Sequence, residues 1–283
     1  MSAPKNIDGL HFYECMIGWA NMGELHSFSK RLEEKMEEEK QSYRDFLESD
    51  FPLMEKFREL APGSYRHSQN VANICESIAV ELKLNADFMR TCALYHDVGK
   101  MINPKFFTEN QDEENPHDLL EPKISYQIIS RHLSDTVAIL LNYDFPIEVL
   151  KVVSQHHGNT IIKYFFDKSK SQNDASYRYR CSKTPESDEA AILMIVDSVE
   201  ATARSLSSNG RLETPEARHH MIDDTINRLV DDGQLDSMKI GTLKVIRQIL
   251  YKEIDSTYHK RVPYDNGDET IGERRNGSTN GTI

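Results

Sequence analysis

Residues 71–82 read VANICESIAVEL. Val71, Ile74, Cys75, Ile78 and Ala79 recur at i, i+3, i+4, i+7 and i+8, and Leu82 follows one turn on. That spacing is one face of an α-helix and not the alternation of a strand. The same period returns along the chain. Asn85 is a capping residue for a second helix with Phe88, Met89, Cys92 and Ala93 inward. Pro122 opens a helix carrying Ile124, Ile128 and Ile129 that is expected to end near His132. Pro146 suits the first position of a helix carrying Val149, Leu150, Val152 and Val153. Ala190, Leu193, Met194, Asp197 and Ala201 form another stripe. Thr214-Pro215-Glu216 opens a further helix, and Leu243, Ile246 and Leu250 mark the last long one. No convincing run of strands stands beside them, so the expected fold class is all-α.

The chain has 283 residues, which is one large domain or two small ones. Three regions are expected. Residues 1–50 form a helical extension, residues 51–263 the main domain, and residues 264–283 a disordered tail rich in Gly, Asn and Thr. In the extension, Arg31–Lys40 (RLEEKMEEEK) reads as a solvated helix face, with a partner-binding or homodimer contact as the alternative. The polar stretch Lys168–Ser187 reads as a long loop. Lys plus Arg is 34 and Asp plus Glu is 46, a net charge of −12. That sign argues against general affinity for DNA or for an anionic membrane. A phosphate-bearing substrate therefore needs local compensation, by metal ions or a few basic side chains. The longest clean apolar run, Ala190–Val196, is far short of the ~20 residues of a transmembrane helix. The start MSAPKNIDGL lacks the pattern of a secretory leader. Cys15, Cys75, Cys92 and Cys181 show no CxxC spacing, and a reducing, cytoplasmic location is expected.

Of 11 histidines, six lie between His67 and His157. His96-Asp97 closes a helix just before Val98-Gly99-Lys100, and His156-His157 closes another just before Gly158. Adjacent side chains on a regular helix point about 100° apart, so a pair converges more easily where the helix ends. Glycine ends helices in the left-handed conformation, and both pairs have one. His67 and His132 join them, as does Asp197, a carboxylate set in an apolar stripe. A buried carboxylate costs several kcal/mol unless it is paired or metal-bound. A metal centre accounts for both the acid and the imidazoles, and that donor set suits Fe, Mn, Zn, Co or Ni. The competing reading makes each histidine a cap or core residue and pairs Asp197 with Arg204. His219 and His220 read as structural or surface residues.

The order His67, HDVGK (His96–Lys100), HHG (His156–Gly158), Asp197 resembles the HD-domain metal-dependent phosphohydrolases. Longer blocks narrow the resemblance. APGSYRHSQNVAN, YHDVGKMINPKFFTENQ, NPHDLLEPKIS, QHHGNTIIKYFF, YRYRCSKTPESDEAAILMIVDSVEATARS and VDDGQLD look like the cyclic di-AMP phosphodiesterase (PgpH) type of HD domain. That type is usually the cytosolic end of a seven-transmembrane receptor. The likeness covers about Phe51 to Pro263. With no transmembrane stretch or sensor in the sequence, the chain looks like a stand-alone version or the soluble part of one. It also lacks the HHE…DG-x-GYP pattern of the cyclic di-GMP-degrading group.

The resemblance implies an all-α HD bundle with a two-metal site, the ions being manganese or iron. His67, His96, Asp97 and Asp197 would hold one ion. His132, His156 and His157 would hold the second, with Asp97 bridging. His117 is the substitute for His132. A hydroxide shared by the metals would open cyclic di-AMP to 5′-pApA. Lys100 would contact a phosphate or assist the leaving oxygen. Arg178 and Lys183 would hold the second phosphate or a base, and Tyr164, Phe165, Tyr177 and Tyr179 are candidates to stack on adenine. The alternatives are cyclic di-GMP or another nucleotide as substrate, or a non-catalytic nucleotide-binding module.

Overall fold

The computed structural model describes residues 43–111, 114–169 and 179–258. Residues 1–42 with Arg31–Lys40, the pair Tyr177 and Arg178, and the tail 264–283 lie outside the described residues. The described part is helical. After a 3-10 turn at Tyr43–Leu47 come α1 (Pro52–Leu60), α2 (Pro62–Leu82) and α3 (Ala86–Tyr95). Short 3-10 turns run through Val98–Ile102, Pro104–Phe106, Thr108–Asn110 and Pro116–Leu119. They lead into α4 (Pro122–Asn142), α5 (Ile147–Ser154) and α6 (Lys163–Ser169). The chain then forms α7 (Asp188–Ser208), α8 (Pro215–Asp231) and α9 (Ile240–Tyr258). An antiparallel bridge between Ile161 and Arg180 is the one extended pairing among the described residues.

The stretch quoted first lies at the centre. In α2, Val71, Ile74, Cys75, Ile78 and Ala79 are buried, and the helix packs on α3, α7 and α9. Ile78 is fully buried, and cutting it to alanine would cost about 2–5 kcal/mol, because the surroundings close over such a gap only in part. Helix α7 is buried almost all round, from Ala190 through Val199. It meets α2, α3, α5, α8 and α9, so its residues reach the middle of the domain. Starts follow the capping chemistry. Asn85 accepts from the Phe88 amide at 3.0 Å, Ser187 from Ala190 at 3.1 Å and Thr214 from Ala217 at 3.2 Å.

Several boundaries differ from expectation. Helix α4 does not end near His132 but runs ten residues further, to Asn142. Its later turns bury Val137, Leu140 and Leu141, which repay continuing the helix. Helix α6 occupies part of the stretch after HHG, and its last residues, Lys168 and Ser169, enter the expected long loop. The core also reaches back before Phe51. Phe46 is buried with its ring centroid 4.0 Å from that of Phe145, and Tyr95 Oη donates to the Phe46 carbonyl at 2.7 Å. Residues 43–47 thus pack with the main domain. No helix among the described residues is long and apolar enough to cross a membrane.

Candidate metal centre

Four elements bring His67 (α2), His96-Asp97 (end of α3), His132 (α4) and Asp197 (α7) together, and the turn after α5 adds His156-His157. All are buried except His157, whose side chain is 31% exposed and opens the cluster to solvent. Two sets of donors emerge, each with its ligand atoms within 4.8 Å of one another. One is His67, His96, Asp97 and Asp197; the other is Asp97, His132, His156 and His157. Asp97 belongs to both. His96 Nε2 lies 3.2 Å from Asp97 Oδ2, and His132 Nε2 lies 3.4 Å from Asp97 Oδ1.

The glycines work differently in the two pairs. Gly158 is left-handed, with φ +55°, as expected. A Cβ there would also stand 2.4 Å from Gln234 Oε1. Gly99 is not left-handed. It sits in the Val98–Ile102 turn, where a Cβ would come within 2.3 Å of the His132 carbonyl oxygen and 2.5 Å of the Thr136 amide nitrogen. Its missing side chain lets α4 approach, and Gly99 N donates to Thr136 Oγ1 at 2.9 Å.

The imidazoles are oriented from behind. His96 Nδ1 donates to the Ala93 carbonyl at 2.7 Å and His156 Nδ1 to Val153 at 2.6 Å. His132 Nδ1 donates to the Ile129 carbonyl in the same way. In the neutral ring these bonds put the proton on Nδ1, so that Nε2 is the nitrogen turned to the cluster. His67 is held differently: Glu200, buried in α7, contacts its Nδ1. The other Glu200 oxygen accepts from Asn70 Nδ2 at 2.9 Å. Glu200 was not foreseen, although it lies three residues after Asp197 and so shares its helix face. Arg204 does not neutralise Asp197. Its guanidinium stands 3.7 Å from Glu200 and 3.8 Å from Glu109.

His96 Nε2, His156 Nε2 and Asp97 Oδ1 are buried without a hydrogen bond of good geometry, while Asp97 Oδ2 is met by the Lys100 ammonium. Native interiors seldom leave such atoms unpaired, and orphaned donors of this kind fit a cation. Protonation is divided. Burial drives the pKa of His132 down to about 3 and also lowers His156 and His157. Burial acts the same way on His67 and His96, but the carboxylates outweigh it and raise both. Asp97 and Asp197 are pulled well below the usual carboxylate range, burial opposing and the neighbouring cations prevailing. A divalent cation would displace the protons on His67 and His96, so its uptake would release protons.

Lys100 is largely but not fully covered, its ammonium 2.7 Å from Asp97 Oδ2 and 2.8 Å from Glu109 Oε1. Burial alone would lower its pKa, yet the two carboxylates raise it and keep it charged. His117 lies outside both sets, its Nε2 on the Phe106 carbonyl at 2.9 Å. Lys183 pairs with Glu186 at 2.7 Å, on a segment tied to the HHG turn by the Ser182 amide donating to the Gly158 carbonyl at 2.8 Å. Phe165 and Tyr179 are buried in packing and offer no free face for a base, whereas Tyr164 is exposed.

Residues 64–202 match the HD-domain family, a span that contains every member of both donor sets. Over 220 residues the chain is 38% identical to the cyclic-di-AMP phosphodiesterase PgpH of Listeria monocytogenes, covering 75% of this chain and 30% of that protein. The protein of the same name from Bacillus subtilis is 36% identical over 220 residues, with the same shares. The chain thus spans 30% of the length of these two relatives. The solved HD domain of L. monocytogenes PgpH in complex with cyclic-di-AMP has a TM-score of 0.69 and 38% identity, over 75% of this chain and 100% of that one.

Proposed function

The chain belongs to the HD-domain family, and from that premise we propose that it is a phosphodiesterase that opens cyclic di-AMP to linear 5′-pApA with two divalent metal ions. The observation that carries this reading is the pair of donor sets meeting at Asp97. It is joined by the likeness to a domain whose solved complex holds cyclic-di-AMP. His67, His96, Asp97 and Asp197 would hold one ion, and Asp97, His132, His156 and His157 the other. Imidazole and carboxylate without thiolate suit manganese or iron. When bound, such a pair lowers the pKa of a water and offsets charge on the phosphoryl oxygens.

The chain's own residues do the rest. Glu200 and the carbonyls of Ala93, Ile129 and Val153 keep the Nε2 lone pairs aimed inward. Lys100 holds Asp97 Oδ2 against Glu109 and brings a fixed positive charge beside the reacting phosphate. The donor sets hold no serine or cysteine, and hydrolysis by water needs neither. The location we assign is cytoplasmic: Cys75 and Cys92 are free thiols in the core.

The test is hydrolysis of cyclic di-AMP beside cyclic di-GMP, by protein loaded with Mn(II) or, under anaerobic conditions, Fe(II). Products are followed by chromatography, with Asp97→Ala as the control. The expected outcome is 5′-pApA from cyclic di-AMP, lost in the control. Metal-loaded protein that turns over neither compound would remove the cyclic dinucleotide from this reading and leave the metal site standing.

A further inference from the structure

Beside His67 lies a cleft of about 460 Å³, walled by the first turns of α2, the Thr108–Asn110 turn and the second half of α7. Two arginines line it, Arg66 and Arg204. The carboxylates in its wall are already engaged. Glu200 faces His67 and Asn70, and Glu109 Oε1 faces Lys100 and Ser64. The arginines are held less closely, Arg204 by two long ion pairs and Arg66 by none among the described residues. Arg66 is exposed, with no hydrogen bond or ion pair among the described residues. Arg204 stands 3.7 Å and 3.8 Å from its nearest carboxylates, beyond good hydrogen-bond distance, and its buried Nε has no partner. The unused hydrogen-bonding capacity of the cleft is therefore cationic, in a chain whose net charge is −12.

We propose that this cleft is a second phosphate subsite, in which Arg66 and Arg204 hold one nucleotide unit of the substrate while the other phosphate lies at the metal cluster. The inference rests on the phosphodiesterase reading, since His67 belongs both to the cleft wall and to a donor set. Size favours one unit: pockets for small molecules run from about 300 to 1,000 Å³, and this one is at the lower end. Guanidinium forks are suited to phosphate oxygens. Asn70 contributes a further polar lining group. Lys183, expected from the sequence to hold the second phosphate or a base, does not line this cleft and pairs with Glu186 at 2.7 Å.

Arg66→Ala and Arg204→Lys test the assignment on the metal-loaded chain. Steady-state kinetics are taken on cyclic di-AMP and on bis(p-nitrophenyl) phosphate, which has no second phosphate to place in the cleft. Each variant is expected to raise KM for cyclic di-AMP about tenfold more than KM for the small diester, the scale of one charged hydrogen bond. Metal content per chain is measured alongside, because Arg204 also faces Glu200. Equal changes on the two substrates in both variants, with metal retained, would overturn the subsite. A wild type that cleaves only the small diester would instead remove the cyclic di-AMP reading. The cleft is then judged by AMP binding, where weaker binding by Arg66→Ala keeps it and equal binding removes it.

Discussion

Of the four buried imidazoles of the cluster, His67 is the one whose back nitrogen depends on a side chain. His96, His132 and His156 lean on main-chain carbonyls that no substitution removes, whereas His67 leans on Glu200. Side chain 2% exposed, that glutamate sits in a place where an acid is costly unless it is engaged. Loss of such an outer partner typically lowers metal affinity about 10–100-fold. Glu200→Ala is therefore expected to weaken the ion of the His67 set by about that factor and to spare the other. Metal per chain after dialysis against a graded chelator reads it directly, and Glu200→Gln should fall between the two. Wild-type metal retention in Glu200→Ala would show that packing alone aims His67. Asp97 is different in kind, because it stands in both sets and its loss is expected to empty both.

At the scale of elements, the approach of α4 to the turn at Gly99 sets where His132 stands. A methyl group at Gly99 would meet main-chain atoms of α4 at 2.3 and 2.5 Å, and main chain cannot rotate out of the way. Gly99→Ala is expected to push α4 outward, to destabilise by about 1–3 kcal/mol and to loosen the His132 set. Thermal unfolding gives the first effect and metal content the second; an unchanged midpoint would mean that α4 yields freely. The same contact explains a misreading. Helices announced themselves through period and caps, as in 71–82 and at Asn85 and Thr214, because apolar faces and capping side chains are local signals. The face that α4 buries is polar midway, where Ser125, His132 and Thr136 point inward, so the apolar stripe breaks just where the helix serves the site. The ligand candidates were legible because adjacent HD and HH pairs and a lone acid in an apolar stripe are visible in one dimension. Glu109 and Arg204 were not legible in their roles. Their meeting beside Lys100 and Glu200 depends on 3-10 turns and α7 closing on one another in space.

Taken as a whole, the domain gathers eight ionisable groups, His67, His96, Asp97, Lys100, His132, His156, His157 and Asp197, in one region where all but Lys100 and His157 are buried, and leaves His96 Nε2, His156 Nε2 and Asp97 Oδ1 without a partner of good geometry. In the free protein such a cluster opposes the hydrophobic core around it, because desolvated charge and orphaned lone pairs favour the unfolded chain. Cations that bind only the folded state reverse that balance. One ion at about 100 times its Kd adds about 2.7 kcal/mol. For a domain of this size each kcal/mol moves the midpoint by about 2–4 °C. Removing metal is therefore expected to lower Tm by about 5–10 °C for a single ion, and more for two. Differential scanning calorimetry before and after chelation, with metal added back, measures it. Asp97→Ala sharpens the reading. It should lose the metal-dependent part of Tm, and the chelated variant should melt below the chelated wild type, because the substitution leaves the Lys100 ammonium and the His96 ring without their shared carboxylate. A wild type that gives up its metal without any change in Tm would mean that the cluster is held rigid by its surroundings alone. The carbonyls behind His96, His132 and His156, together with Glu200 behind His67 and Lys100 on Asp97, would then be that frame.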